Sequence, residues 1–322
     1  MFLFDLLFGK KKPQGVDVPQ AAVAALASRP AAQSAGSAPG TSIHHDADLI
    51  ASLKSDHQRL LASFQAIAAA RLGASVTMIG QVGADRFGEI LRERLEAEGV
   101  DTRFVSVDPE LGTGVAVPFV LDSGENAIFA VPQANLTLSP LLMERARDVI
   151  SSAAMLLVQF EVNMDATLAA MRLAEAARVP ILLNPAPVAP YPPGTLELAS
   201  VIVANEIEAA ALVPSASGDH DAEVEVLRRL SRSAVITLGH DGAVVDDGSG
   251  PRSIPPFAVQ AVDSVGAGDA FCASLALSLC EGAPLATAAH FAAAAGAVAV
   301  TRAGAQASLP TRQEVEALLA GR

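Results

Sequence analysis

The segment Asp263-Ser264-Val265-Gly266-Ala267-Gly268-Asp269-Ala270-Phe271 follows a polar turn and opens a long apolar run, Gly268–Cys280, with helical spacing. Glycines at 266 and 268 let successive backbone N–H groups converge at a helix N-terminus, where the positive end of the dipole favours an anion. Asp269, one step inside the helix, is placed to take a proton from a hydroxyl attacking a phosphoryl group held there. The same residues also describe a plain Gly-rich turn whose acidic residue complements the dipole. Either way, the dipole predicts an ionised, weakly basic Asp269.

Outward from that segment the chain keeps one style from about Gln65 to its end. Short apolar or β-branched runs alternate with amphipathic ones. The strand candidates are Val76–Gly80, Gly114–Val120, Ala127–Val131, Met155–Phe160, Ile181–Leu183, Val201–Ala204 and Ala234–Leu238. The helix candidates are Arg86–Ala97, Pro140–Ser152, Asp165–Arg178, Ala222–Ser231, Gly268–Cys280, Leu285–Val300 and Thr311–Leu319. In Arg86–Ala97, Phe87, Ile90, Leu91 and Leu95 share one face, and Gly99 follows as the stop. This alternation predicts a doubly wound α/β fold, a mostly parallel sheet flanked by helices. Gly114–Val120 and Ala127–Val131 have no helix between them, which predicts a β-hairpin outside that sheet.

Two more segments carry polar groups at strand ends. Asn205-Glu-Ile-Glu208 follows Val201–Ala204, at the edge where open α/β sheets bind ligands. An amide and a carboxylate there suit Mg²⁺ and its waters. Thr237-Leu-Gly-His-Asp-Gly242 ends another apolar strand and offers its backbone to a nucleotide. Neither G-x-x-x-x-G-K-[ST] nor G-x-G-x-x-G occurs, so a P-loop or dinucleotide site is not supported. The glycines of Gly80-Gln-Val-Gly83 read as turn residues.

The 322 residues are 51% apolar and 18% charged, enough for one large α/β domain or two small ones. Aromatics are 4% with no Trp, which argues against stacking platforms for single-stranded nucleic acid. A net charge of −13 repels phosphate backbones and anionic lipid, so neither nucleic acid nor membrane is an expected partner. Cys272 and Cys280 lie on one predicted helix and cannot bridge. They read as buried thiols of a reducing compartment. Met1–Phe8 is apolar and precedes Lys10–Lys12, the reverse of a secretory signal, so the expected location is cytoplasmic. Residues 1–45 read as a flexible tail or linker, rich in Pro, Ala, Gln, Ser and Gly. Residues 46–64 read as an amphipathic helix, and 65–322 as the main domain.

The order and wording of these motifs resemble the ribokinase-like (pfkB) family of sugar kinases. The resemblance rests on Ala69-Ala-Arg-Leu-Gly-Ala74, Gly83-Ala-Asp-Arg-Phe-Gly88, Gly99-Val-Asp-Thr102, Gly124-Glu-Asn126, Gln159-Phe-Glu161 and Leu183-Asn-Pro-Ala-Pro187. It continues through Asn205–Glu208, Thr237-Leu-Gly239, Asp263–Asp269 and Thr301-Arg-Ala-Gly-Ala-Gln-Ala-Ser308. It implies ATP-dependent phosphorylation of a small-molecule sugar, a pentose such as D-ribose, giving D-ribose 5-phosphate. It implies that Asp269 is the base on the sugar's primary hydroxyl. Gly266, Ala267 and Gly268 would form the anion hole, and Glu161 would approach the sugar. Asn205 and Glu208 would organise Mg²⁺ and phosphates, with Thr237, Leu238, Gly239, His240, Asp241 and Gly242 on the nucleotide. Asp263, Val265, Ala299, Arg302, Gly304 and Ser308 match a loop that holds an activating monovalent cation, usually K⁺.

The chain departs from that pattern in places. Ser264 replaces a usual Thr. Gln133 stands where Gly is usual in Pro132-Gln-Ala-Asn135, a change expected to strain the turn. Upstream, the family has a first strand ending in Gly-Ser-x-Asn-x-Asp, then lid strands, then Gly-Gly-Lys-Gly-Ala-Asn. This chain has Arg59-Leu-Leu-Ala-Ser-Phe64 in the last place, so Phe64 replaces a sugar-contacting Asn. The expectation is a missing central strand, a reduced sugar clamp and an incomplete β lid, which in the family is also the surface of a homodimer. A second reading follows: a nucleotide-binding protein of kinase fold with impaired or regulatory function. Asp46–Leu61, with His57, is similar to the first helix of hemerythrin-like domains, although later iron ligands have no counterpart.

Overall fold

The computed structural model describes residues 5–8, 63–120, 126–216 and 218–321. Their strands are β1 (Asp5–Phe8), β2 (Val76–Gly83), β3 (Asp101–Asp108), β4 (Val115–Val120), β5 (Asn126–Val131), β6 (Met155–Gln159), β7 (Ile181–Asn184), β8 (Val201–Asn205), β9 (Ser233–Thr237), β10 (Ala243–Asp246) and β11 (Arg252–Ile254). Nine form one sheet in the order β11-β10-β9-β8-β7-β6-β1-β2-β3. Neighbours from β6 to β9 are parallel, as are β2 and β3, whereas β9, β10 and β11 run antiparallel. β6 is buried at every position, as expected of a strand covered on both faces.

Those covers are helices: α1 (Ser63–Arg71), α2 (Arg86–Ala97), α3 (Pro140–Arg145), α4 (Arg147–Ser152), α5 (Met164–Ala176), α6 (Glu206–Leu212), α7 (His220–Leu230), α8 (Ala267–Cys280), α9 (Leu285–Val300), α10 (Ala305–Ser308) and α11 (Arg312–Leu319). Strand side chains alternate between two cores. Met78, Leu157 and Val203 join Phe64, Leu275 and Ala292 of α1, α8 and α9. Ile79, Leu156, Val158 and Ile202 join Met171 and Leu227 of α5 and α7. The expected doubly wound, mostly parallel α/β architecture is therefore present. Helix starts are fixed by local chemistry: the Asp85 carboxylate caps α2, while Asn205 with Glu208 and Thr311 with Glu314 form capping boxes on α6 and α11.

Several expectations need revising. The helix expected over 140–152 breaks at Ala146 into α3 and α4. Gly80 and Gly83 lie inside β2 rather than in turns. At Gly83 the missing side chain lets the 111–113 backbone close in: a Cβ would lie 2.3 Å from the Thr113 nitrogen. Gln133 does adopt the left-handed region, at φ 45°, and its side-chain amide donates to the Thr113 carbonyl at 3.0 Å. The expected hairpin forms as β4 and β5, a separate two-stranded antiparallel sheet. The helix proposed for 46–64 and its His57 fall outside the described residues, except that α1 starts at Ser63.

The largest difference is β1. Composition placed it in a tail and left the sheet short of a central strand, with the apolar run and glycine of Met1–Gly9 only a minor candidate for the gap. Instead Asp5–Phe8 sits between β2 and β6, antiparallel to both, with Leu6 opposite Met78 and Leu157. Leu6-Leu7-Phe8 is apolar enough for an interior position, and both neighbours need an edge partner. Deleting residues 1–8 is therefore expected to leave two unsatisfied strand edges in the middle of the sheet. Size-exclusion chromatography should show aggregation of the truncated chain, and a monodisperse species with unchanged melting temperature would contradict the pairing. No helix among the described residues is long and apolar enough to cross a membrane.

Candidate active site

Parallel strands carry their C-terminal ends to one edge of the sheet, and here those ends are polar. Gln159 of β6 lies opposite Asn184 of β7, and Asn205 of β8 lies opposite Thr237 of β9. The sequence therefore sets Asn205 and Thr237, two separately predicted ligand residues, side by side. The Asn184 amide donates to the Val203 carbonyl at 2.9 Å and approaches Glu208 Oε2 at 3.5 Å. Burial raises the Glu208 pKa, while the Asn205 N–H and the Asn184 amide pull it back.

α8 packs on β6, and Glu161 just past that strand feels the charges of both Asp269 and Glu208. Gly266 caps it at φ 84°, with a Cβ position 3.2 Å from the Ala305 carbonyl oxygen, so a side chain fits poorly. Gly268 differs. It is exposed, and a Cβ there would meet nothing within 4 Å. Packing gives no reason for glycine in this first turn, where it costs about 1 kcal/mol against alanine. The open space suits the close approach of a ligand to the helix N-terminus.

Asp269 follows. Its Oδ1 accepts a hydrogen bond from Gln65 Nε2 at 3.0 Å. Solvent reaches part of the residue, but the atoms crowded around it dominate its electrostatics. Desolvation pushes its pKa up to about 7, and the Gln65 hydrogen bond opposes the rise. This corrects the weakly basic carboxylate expected from the helix dipole: loss of water outweighs it. Glu161, just past β6, is also pushed well up, by burial and then by the Asp269 and Glu208 carboxylates. Glu161 Oε2, Gln159 Nε2 and Gln65 Oε1 are all buried without a hydrogen-bond partner. Buried polar atoms are nearly always paired in folded proteins, so three orphans on elements that meet at Asp269 fit a site that waits for hydroxyl groups.

The loop after β9 is shaped by its backbone. Leu238 N–H donates to the Gly242 carbonyl at 2.8 Å, and Gly239–Asp241 make one 3₁₀ turn. Gly242 has φ 91°, and a Cβ there would lie 2.2 Å from the Ile254 carbonyl oxygen. The His240 side chain is 94% exposed, with Nε2 3.6 Å from Asp241 Oδ1.

Asp263 ties two loops together. Its Oδ1 accepts from Val265 N–H at 3.0 Å and its Oδ2 from Gly304 N–H at 2.9 Å. Val300 accepts from both Val262 and Asp263. Ser308 is fully buried and donates to Ala305, Ala299 is fully buried on α9, and Arg302 is paired with Glu314. Arg71 of α1 braces the same loop from behind, with Nη1 donating to Gln306 and Leu309 carbonyls at 2.9 Å each and Nη2 paired with Glu98. A carboxylate, carbonyls and a hydroxyl, with the nearby guanidinium neutralised, are hard oxygen donors that fit a monovalent cation. Among the described residues no trio of His, Cys, Asp or Glu gathers at metal distance. A divalent ion near Glu208 would thus be held through water and phosphate oxygens, the usual habit of Mg²⁺.

The predicted residues fall into three groups: 205–208 with 237–242 at the ends of β8 and β9, 263–269 with 299–308, and Glu161 after β6. Sequence reasoning missed Gln65, Gln159, Asn184 and Arg71. Gln65 was visible as the single polar residue in the apolar run Phe64–Ala70.

The pfkB family carbohydrate kinase model matches residues 64–312. The ribokinase of Bacillus subtilis is 37% identical over 255 residues, covering 79% of this chain and 85% of that protein. The Haemophilus influenzae ribokinase is 35% identical over 261 residues, covering 78% and 83%. The crystal structure of a Thermotoga maritima ribokinase aligns with a TM-score of 0.73 at 30% identity, covering 80% of this chain and 86% of that one. The Arabidopsis thaliana ribokinase complexed with ribose and ATP aligns with the same TM-score at 28% identity and the same coverage. These matches lead to one conclusion: this chain belongs to the pfkB family of carbohydrate kinases.

Proposed function

We propose that this chain transfers the γ-phosphoryl group of ATP to the primary hydroxyl of a pentose, converting D-ribose to D-ribose 5-phosphate. The observation that carries the reading is Asp269: a carboxylate, in the first turn of a helix opened by glycines, whose charge, like that of Glu208 beyond β8, is felt at Glu161. The sugar hydroxyl attacks phosphorus in line, its proton goes to Asp269, and the electron pair of the breaking bond leaves on the ADP oxygen. The N–H groups of Gly266, Ala267 and Gly268 face the charge that spreads over the transferring group. Residues 237–242 hold the nucleotide, and Glu161 accepts hydrogen bonds from the sugar. Glu208 and Asn205 would hold Mg²⁺ through water, and Asp263, Val265, Ala299, Arg302, Gly304 and Ser308 would surround K⁺. When bound, the ions neutralise phosphate charge and stiffen the loop behind the anion hole. A coupled assay across a panel of sugars, with and without K⁺, tests the reading. Ribose turnover accelerated by K⁺ is expected, and ATP binding without turnover of any pentose would overturn it.

Phe64 favours a second reading. It is fully buried in the core, so it presents no polar group at the place where the resemblance puts a sugar-contacting Asn. Lost hydroxyl contacts weaken orientation and rate steeply. A nucleotide-binding protein with impaired transfer would show calorimetric binding of an ATP analogue and none of ribose.

Two further outcomes belong to the first reading. Gly268→Ala is expected to leave the melting temperature unchanged or slightly higher, because alanine is the better helix former. Transfer should still fall by tenfold or more, since the added methyl enters the space left for phosphate. The pH dependence follows from Asp269. The base must be ionised, and its pKa lies at about 7. Below that value the protonated fraction rises, so kcat/KM should fall tenfold for each pH unit. A profile flat down to pH 5 would exclude a base of this kind.

A further inference from the structure

Gln65 lies in the first turn of α1, 2% exposed, between Phe64 and Ala66, which are fully buried. One end of its amide meets the Asp269 carboxylate, and the other, Oε1, has no partner. An orphaned buried acceptor is costly, and a Met or Leu of similar size would avoid that cost. A flipped amide would set Oε1 against the carboxylate, oxygen to oxygen, so Asp269 fixes the amide's orientation. No other residue among those described donates a hydrogen bond to this carboxylate, so Oδ2 carries no such bond, and the neighbouring Gly268 has open space where a Cβ would stand.

We propose that Gln65 is a positioning residue for phosphoryl transfer, holding Asp269 Oδ1 so that Oδ2 faces the attacking hydroxyl. The proposal rests on the reading of Asp269 as the base. The ionisable groups that feel Asp269 are Glu161 beyond β6 and Cys272 one turn along α8. Neither brings positive charge, so the amide donor is what favours the ionised form. Removing it leaves burial unopposed, and the base titrates higher. α1 packs on α8, so the donor is carried by a rigid helix rather than a loop.

The test compares pH profiles of kcat/KM for ribose in the parental chain, Gln65→Met, Gln65→Asn and Asp269→Asn. Gln65→Met keeps the volume and removes the donor; Gln65→Asn keeps the amide but is too short to reach. Both should move the acidic limb upward by about one pH unit, a shift typical of losing one hydrogen bond to a charged group. ATP-analogue affinity should stay within twofold. A purely structural role would lower activity at every pH and leave the limb in place, which would overturn the proposal. Should both variants fail to fold, the parental protein still decides: the Gln65 side-chain amide proton, followed by NMR, should titrate with the kinetic midpoint. A resonance that does not move refutes the contact. Full activity in Asp269→Asn would instead remove the reading beneath it. An inactive Asp269→Asn beside a parental limb in Gln65→Met removes this inference alone.

Discussion

Asp269→Asn is expected to lower kcat by about three orders of magnitude while ATP-analogue affinity stays within twofold. The substitution keeps the shape of the side chain and its place on α8. It removes only the capacity to accept the hydroxyl proton, and a positioned base contributes roughly 10²–10⁴ to such reactions. Asparagine can still meet Gln65, because the amide can rotate to present Oε1, which currently has no partner. The fold should therefore survive, and its stability relative to the parent should grow as pH rises. A buried carboxylate whose pKa is raised to about 7 favours folding below its unfolded value near 4 and opposes it as pH climbs. Urea unfolding at pH 8 should show Asp269→Asn equal to or above the parent. Parental turnover of ribose by this variant would remove the mechanism.

Gly242→Ala should produce the second large effect, on stability and nucleotide binding together. The position has φ 91°, and its added methyl would lie 2.2 Å from the Ile254 carbonyl and 2.9 Å from the Pro256 nitrogen. Those are backbone atoms, which cannot swing aside like a side-chain tip. The left-handed conformation costs about 1–2 kcal/mol and overpacking a further 1–3 kcal/mol, so a loss of about 3 kcal/mol is expected. Relief requires the 238–242 turn to move away from β11, and that turn is the one assigned to the nucleotide. The urea midpoint and the KM for ATP should therefore shift together, with the KM rising tenfold or more. A stable variant with unchanged KM would show that the turn does not touch ATP.

Much of this was legible because the signals are local. Alternating runs gave most of the longer helices from Arg86 to Leu319 within a few residues, and Leu285–Val300 without error, but not the short α6 and α10 or the break at Ala146. Asp269, Asn205 and Thr237 were readable because strand ends and Gly-rich helix starts have recognisable chemistry. What failed depended on distant partners. Gly83 sits in a strand because the 111–113 backbone must approach it, which no neighbour in sequence announces. The Asp269 pKa depends on how closely α1 and β6 crowd α8, so a local dipole argument set its direction wrongly. Gln65 is one polar residue in an apolar helix, and its purpose shows only when α8 lies beside it. β1 is four residues long and separated from its partners by most of a domain, too short for any periodicity to reveal.

That same short strand also sets an order of events. Asp5–Phe8 is made before both of its neighbours, and one of them, Met155–Gln159, follows far later. Until then the nascent chain lacks one side of the slot that receives β1. The middle of the sheet is closed by an early strand joining one made about 150 residues later, and nascent chains halted before Met155 should expose β2 to chaperones and proteases that spare the finished protein.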